Sequence, residues 1–182
     1  MSTVIFYQSE KEELETILWT IKNYKKIRKF CNDIIYPKLP KNLWESILKD
    51  DQNFTNSRKK VEEYLKSTNQ LSLDPKIKQV AIPLWAKIEN DFFKKIKKIS
   101  KIRPFKKYIC YLTKYGGGGS FNPPNIIWVR MNLKNKNDLK YFTYTVAHEI
   151  THLLLNKKHK NKLQEIKEKE IDQILLNTGL FK

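Results

Sequence analysis

The sequence predicts an α+β protein in which a mainly helical N-terminal segment precedes a small sheet and two further helices. Three features predict this class: helical apolar spacing before residue 103, two β-prone runs after residue 104, and a long amphipathic stretch near the C-terminus. A length of 182 residues with 40% apolar and 12% aromatic residues fits one globular domain. We therefore expect one compact unit with two sequence segments, 1–103 and 104–182.

The segment 1–103 is expected to be mostly helical after a short strand at residues 4–7. Asp74-Pro75 is a typical helix start, and Pro83 is expected to kink or break the helix that follows. This segment lies upstream of the region that carries the chemical motifs. We therefore hypothesise that it shields that region, as a pro-segment would, or takes part in binding. Its apolar residues recur at helical spacing in four stretches, at 10–30, 43–48, 61–65 and 77–99.

Two β-prone runs, 108–113 and 126–131, flank a loop that contains four of the chain's five glycines. The loop reads GGGGS at 116–120 and is followed by Pro123-Pro124. It lacks the lysine and the following helix of a phosphate-binding loop. We interpret it as a mobile connection between two sheet strands.

The stretch 137–158 is predicted to be an amphipathic helix with Asn137 as its N-cap. His148 and His152 are four residues apart, so one helix face presents both imidazoles to a single ion. Glu149 points off the line of the two histidines, where it can take a proton from a water that the ion activates. The apolar residues on the other face form a stripe that we expect to be buried: Leu139, Phe142, Val146, Ile150, Leu153 and Leu154.

A zinc site of this kind needs a third protein ligand and an open position for water. Glu168 and Asp172 share one face of a second helical stretch, 161–177. Glu168 is the favoured ligand, and Asp172 is placed to hold the Nδ1–H of one histidine. His159 is the alternative third ligand. Solvated charges that alternate with lysines are the plainer interpretation of this stretch.

The pattern HEITH at 148–152, followed by EKEID at 168–172, resembles the HExxH and ExxxD motifs of the gluzincin group of zinc metallopeptidases. The resemblance covers about residues 108–181 and is closest to minimal, single-domain members, because the spacer between the motifs is short. It implies a zincin-like fold and a minimal catalytic region at 104–182. It also implies Zn²⁺ held by the two HEITH histidines and Glu168, with Glu149 as the general base of a peptidase.

The same resemblance implies a strand beside the motif helix that binds the backbone of a peptide or protein substrate by strand addition. The run 126–131 is the candidate, with Ile126, Ile127, Trp128 and Val129 as its substrate-binding residues. A flexible hairpin without a binding role is the alternative.

Three rival zinc patterns bear on the same residues. Metzincins need a third histidine six residues after the second, where Lys158 stands. Peptide deformylases use an upstream cysteine, but Cys110 lacks their glycine-containing loop. SprT-like, DNA-associated proteases take a third histidine soon after the second, and His159 would fill that role. Two further alternatives are a non-catalytic metal-bearing regulator and a nucleic-acid-binding protein with an incidental HExxH.

The formal net charge of +17 raises the question of an anionic partner. Arginine, the side chain best suited to phosphate and base recognition, is scarce beside lysine. The charge therefore favours a generic basic surface over nucleic-acid binding, which stays open as an alternative. The densest basic stretch lies at 94–107.

Two isolated cysteines, Cys31 and Cys110, form no CxxC pair and suit a reducing compartment. Acidic residues follow the first few positions at once, unlike a signal peptide. No apolar run approaches the length of a membrane span. We expect a cytoplasmic protein.

Overall fold

A computed structural model describes residues 2–181 and confirms the α+β class. Within these residues the chain forms eight helices and one four-stranded sheet. In chain order the elements are β1 (Thr3–Tyr7), α1 (Glu10–Lys22), α2 (Tyr24–Ile27), α3 (Lys41–Lys49), α4 (Arg58–Ser67), α5 (Pro75–Ala86), α6 (Glu89–Ser100), β2 (Lys107–Thr113), β3 (Gly119–Asn122), β4 (Ile126–Arg130), α7 (Lys136–His159) and α8 (Gln164–Thr178).

The sheet is mixed, with strand order β1-β2-β4-β3. β1 pairs parallel with β2, and β2 pairs parallel with β4. The strands predicted at 4–7, 108–113 and 126–131 are confirmed, each to within one residue. β3 pairs antiparallel with β4 and lies at the end of the sheet.

The prediction of a mobile connection between β2 and β4 is wrong for residues 119–122, because they form β3. Gly116 and Gly118 have φ values of 113° and 106°, a region that L side chains rarely adopt. These glycines let the chain turn back beside β4. Arg130 N–H then donates to the Gly118 carbonyl at 2.6 Å, which continues the pairing beyond β3.

The two sequence segments share a sheet and a hydrophobic core. β1, from the first segment, pairs with β2, from the second. One apolar cluster combines residues of α5 and α6 with residues of the sheet, α7 and α8. A second cluster joins α1, α3 and α4. The helical character of the first segment is confirmed, while its strand belongs to the sheet of the second.

Two helix boundaries differ from the prediction. The stretch 10–30 divides at Asn23 into α1 and α2, and both the backbone N–H and the side-chain amide of Asn23 donate to the Trp19 carbonyl. Pro83 lies inside α5, which continues to Ala86, so the helix does not break at the proline. The helix start at Asp74 is confirmed, since its carboxylate accepts from Lys76 N–H.

Both cysteines are free thiols, and Cys110 is buried in the sheet. Among residues 2–181, none of the helices has the length and apolar character to span a bilayer.

Candidate metal centre

α7 carries the HEITH motif, and its N-cap lies two residues earlier than predicted. Asn135, not Asn137, is its N-cap, because the Asn135 side chain accepts from Asn137 N–H at 2.9 Å. Asp138 in the first turn is buried against Arg130 of β4, with contacts of 2.7–3.0 Å. The ion pair fixes the start of α7 to the end of β4.

The apolar stripe of α7 is buried except at its first position. Leu139 is 37% exposed, because the first turn of α7 extends beyond the main apolar cluster. The opposite face is not open to solvent as a whole, since Glu149 and His152 are also buried. β3 and β4 pack on one side of α7, and α8 packs on another.

The structure brings three predicted ligand residues together. Nε2 of His148 and Nε2 of His152 are 3.1 Å apart. Glu168 on α8 places Oε2 2.9 Å from His148 Nε2 and Oε1 3.4 Å from His152 Nε2. Gln164, one turn earlier on α8, donates its side-chain amide to Glu168 Oε1. The three residues form a group that can hold a metal ion.

These distances fit a tetrahedral ion. Ligand atoms at zinc-like bond lengths of about 2.0–2.1 Å lie roughly 3.3 Å from one another in a tetrahedron. The two Nε2 atoms are 3.1 Å apart and His148 Nε2 is 2.9 Å from Glu168 Oε2, both close to that value, and one ligand atom from each residue lies within 4.8 Å of the others. Two Nε2 atoms at 3.1 Å share at most one proton. A cation would satisfy both nitrogen lone pairs and the carboxylate together.

The charges in the group are strongly coupled. Burial by itself would lower the pKa of His148. The hydrogen bond to Glu168 and the negative charges of Glu149, Glu168 and Asp172 outweigh burial, so the pKa of His148 is raised above its ordinary value. Burial also raises the pKa of Glu168, but hydrogen bonds from His148 and His152 bring it well below its ordinary range. Glu168 is therefore an ionised carboxylate aimed at two imidazoles, which is the state that binds a cation.

Asp172 lies beside His148 without a hydrogen bond to it. Its Oδ1 accepts from the Tyr144 hydroxyl at 2.6 Å and is 3.5 Å from His148 Nδ1. That nitrogen is buried and has no hydrogen-bond partner within the described residues. The Tyr144 ring also lies against His148, with centroids 5.8 Å apart. Asp172 is thus near the position expected of a residue that orients His148.

Glu149 is buried at the contact between α7 and β3. A Cβ added to Gly119 of β3 would lie 2.9 Å from Glu149 Cδ, so only glycine leaves room for the carboxylate. Burial raises the pKa of Glu149, while His148 and His152 lower it. Phe121 of β3 stacks on the His152 ring, with centroids 4.7 Å apart and planes at 13°. β3 therefore forms one wall of the site.

His159, the alternative third ligand, is not brought to the other histidines. It lies two turns after His152 on α7, and its Nε2 is 3.1 Å from Glu170 Oε2. Lys158 and Lys162 also pair with Glu170, which ties the end of α7 to α8. The acids of α8 divide between two roles, since Glu168 faces the histidine pair and Glu170 faces this basic cluster.

The prediction that residues 126–129 bind the substrate by strand addition is wrong. Ile126, Ile127, Trp128 and Val129 belong to β4, which pairs with β2 on one side and β3 on the other. Strand addition needs a free edge, so β4 is not available for it. β3 is the end strand beside α7. The short GSFN sequence carries little β-propensity, and Phe121 was its single apolar signal.

Comparisons of this chain with family models, with curated proteins and with solved structures find no match.

Proposed function

We propose that the protein is a zinc-dependent peptidase with a single catalytic centre between α7, α8 and β3. The observation that carries the proposal is the convergence of His148, His152 and Glu168 beside a buried Glu149. Two imidazoles and one carboxylate are the ligand set of catalytic zinc sites that keep a position open for water. The zincin-like fold and the gluzincin resemblance belong to the same proposal.

A bound zinc ion would supply Lewis acidity, which lowers the pKa of water and polarises a carbonyl oxygen. Glu149 would act as the general base, accepting a proton from the attacking water and passing it to the leaving amine. Its buried position keeps competing solvent away from the carboxylate.

The substrate would bind as an extended peptide along β3. β3 is the end strand of the sheet, and its backbone at Gly119 approaches the Glu149 carboxylate closely. A peptide that pairs with the outer edge of β3 would receive backbone hydrogen bonds without side-chain selection. The same pairing would bring one peptide carbonyl toward the histidine pair.

The test compares wild type with Glu149→Gln in a quenched fluorescent peptide library after zinc loading. Gln preserves size but removes the base, so turnover should fall by about 10²–10⁴-fold while bound zinc is unchanged. Glu165→Gln, an exposed acid on α8, is the matched control and should retain activity. Full activity in Glu149→Gln would contradict the assigned base. A zinc-loaded wild type that cleaves nothing would favour a non-catalytic metal-bearing regulator.

A further inference from the structure

The exposed side of α6 carries a row of lysines. Lys94, Lys97 and Lys98 lie three and four residues apart on one face of α6, Lys101 follows as its C-cap in the left-handed conformation, and all four are exposed. The side chains that α6 buries in the main core lie on its opposite side: Phe92, Phe93 and Ile96. The lysine row therefore faces away from the protein.

Further exposed cations follow in the sequence between the end of α6 and the start of β2. Arg103, Lys106 and Lys107 are exposed, and Phe105 between them is 44% exposed. The Phe105 ring packs edge-on against Tyr108, with centroids 5.9 Å apart, which holds it in place at the surface. We call these residues together the basic face: Lys94, Lys97, Lys98, Lys101, Arg103, Phe105, Lys106 and Lys107.

The basic face lacks counter-charges of its own. Among the residues that the structure describes, none of its cations makes an ion pair, and Asp91 is the only acid between Asn90 and Lys107. Among the described residues outside the basic face, four lysines make ion pairs: Lys41, Lys66, Lys158 and Lys162. Like charges one turn apart destabilise a helix, so an anionic partner would relieve a repulsion built into α6.

We propose that the basic face binds single-stranded nucleic acid, with phosphates along the lysine row and a base stacked on Phe105. From Lys94 to Lys98 the helix rises about 6 Å, the length of roughly two nucleotides of a strand. An exposed aromatic ring among cations is the arrangement on which unpaired bases stack. One arginine among the cations gives little capacity to read base edges, so binding is independent of sequence.

Two other anionic partners fit the same face less well. A helix that lies in a membrane surface needs an exposed apolar face, but the apolar face of α6 is buried in the core. Duplex DNA would engage the lysines but leave Phe105 unused, because its bases are already stacked and paired. The basic face lies on the side of α6 away from the core that α6 shares with α8, so binding here does not depend on the metal centre.

The experiment measures fluorescence anisotropy of labelled dT20 with the full chain in excess EDTA, so that it is independent of the proposed peptidase. Binding should weaken steeply with salt, with a log–log slope on the order of −3 to −5 for up to seven cations. The variant Lys94→Gln/Lys97→Gln/Lys98→Gln/Lys101→Gln should reduce that slope by about 3 and weaken binding at least tenfold at low salt.

A matched variant separates the basic face from net charge. Lys11→Gln/Lys26→Gln/Lys29→Gln/Lys38→Gln removes the same charge from exposed lysines elsewhere and should bind dT20 within about twofold of wild type. Equal loss in both variants would overturn the proposal. So would failure of wild type to bind dT20, or binding only to phosphatidylserine vesicles.

Phe105→Ala tests the stacking contact without changing charge. It should weaken dT20 binding about five- to tenfold and leave binding to a 20-base-pair duplex unchanged, because only unpaired bases stack on the ring. Circular dichroism checks that the variant is folded. A duplex bound as tightly as dT20, with no effect of Phe105→Ala on either, would overturn the assignment to single strands.

Discussion

Gly119 of β3 packs directly on the carboxylate of Glu149 in α7. Any larger residue at position 119 would overlap Glu149, since an added Cβ would lie 2.9 Å from both Cγ and Cδ. Gly119, on the edge strand of the sheet, is therefore in close contact with the proposed general base. This contact couples the strand proposed for substrate to the residue proposed for catalysis.

Gly119→Ala adds only one methyl group, but we expect it to lower both the stability of the protein and its peptidase activity. The overlap must be relieved by moving Glu149 or β3, which we expect to cost about 1–3 kcal/mol of unfolding free energy. Peptidase activity should fall at least tenfold, while zinc content stays unchanged. Urea unfolding and peptide cleavage measure the two effects. Ser120→Ala, the exposed neighbour, is the control, and an unaffected Gly119→Ala would show that the contact is unimportant.

The fold class and the histidine pair could be predicted because their signals are local. Apolar spacing along one helix predicts which face is buried, and a separation of four residues brings His148 and His152 together. Glu168 could be proposed as their partner from the spacing of acids on the next helix. The structure brings it within 2.9 Å of His148.

The edge strand could not be predicted, because its pairing depends on the tertiary fold. Gly119–Asn122 has little β-propensity and becomes a strand only where the glycine turn returns it to β4. For the same reason, the sequence favoured β4 as the strand that binds substrate. Sequence alone does not reveal that β4 is enclosed by β2 and β3.

The buried ion pair between Arg130 and Asp138 should be essential for stability. Both side chains are 4% exposed, so Arg130→Met leaves a buried carboxylate unpaired and should cost about 3–5 kcal/mol. The double variant Arg130→Met/Asp138→Asn should cost less than the sum of the single variants. Urea unfolding gives these free energies.

Asp33 supplies the control for this pair. It also contacts Arg130, at 2.8 Å, but its side chain is 48% exposed. Asp33→Asn should therefore cost less than about 1 kcal/mol. Equal losses in Asp33→Asn and Asp138→Asn would show that burial does not control the strength of these contacts.

Glu13 of α1 should make stability depend on pH. Burial raises its pKa to about 7, although Lys114 and Tyr115 backbone N–H groups donate to the carboxylate and lower it. Because this folded pKa lies above the unfolded value, its contribution is fully present below about pH 4.5 and is lost as pH rises to 7. The loss should reach at most about 3 kcal/mol.

Glu13→Gln isolates this contribution, because Gln accepts the same backbone hydrogens without titrating. Between pH 4.5 and 8, wild type should lose stability relative to Glu13→Gln, with most of the change complete by pH 7. Glu63→Gln, an exposed acid on α4, should follow wild type at every pH. Parallel curves for wild type and Glu13→Gln would contradict a raised pKa.

Zinc binding by wild type, Glu168→Ala and His159→Ala is the most direct test of the proposed metal centre. Plasma mass spectrometry of dialysed protein and competition with a chromogenic chelator give stoichiometry and affinity. We expect one zinc per wild-type chain and a similar affinity in His159→Ala. Glu168→Ala should lose more than the roughly 10–100-fold that removal of an outer partner costs. A wild type that retains no zinc, or a Glu168→Ala variant that binds zinc as tightly as wild type, would contradict it.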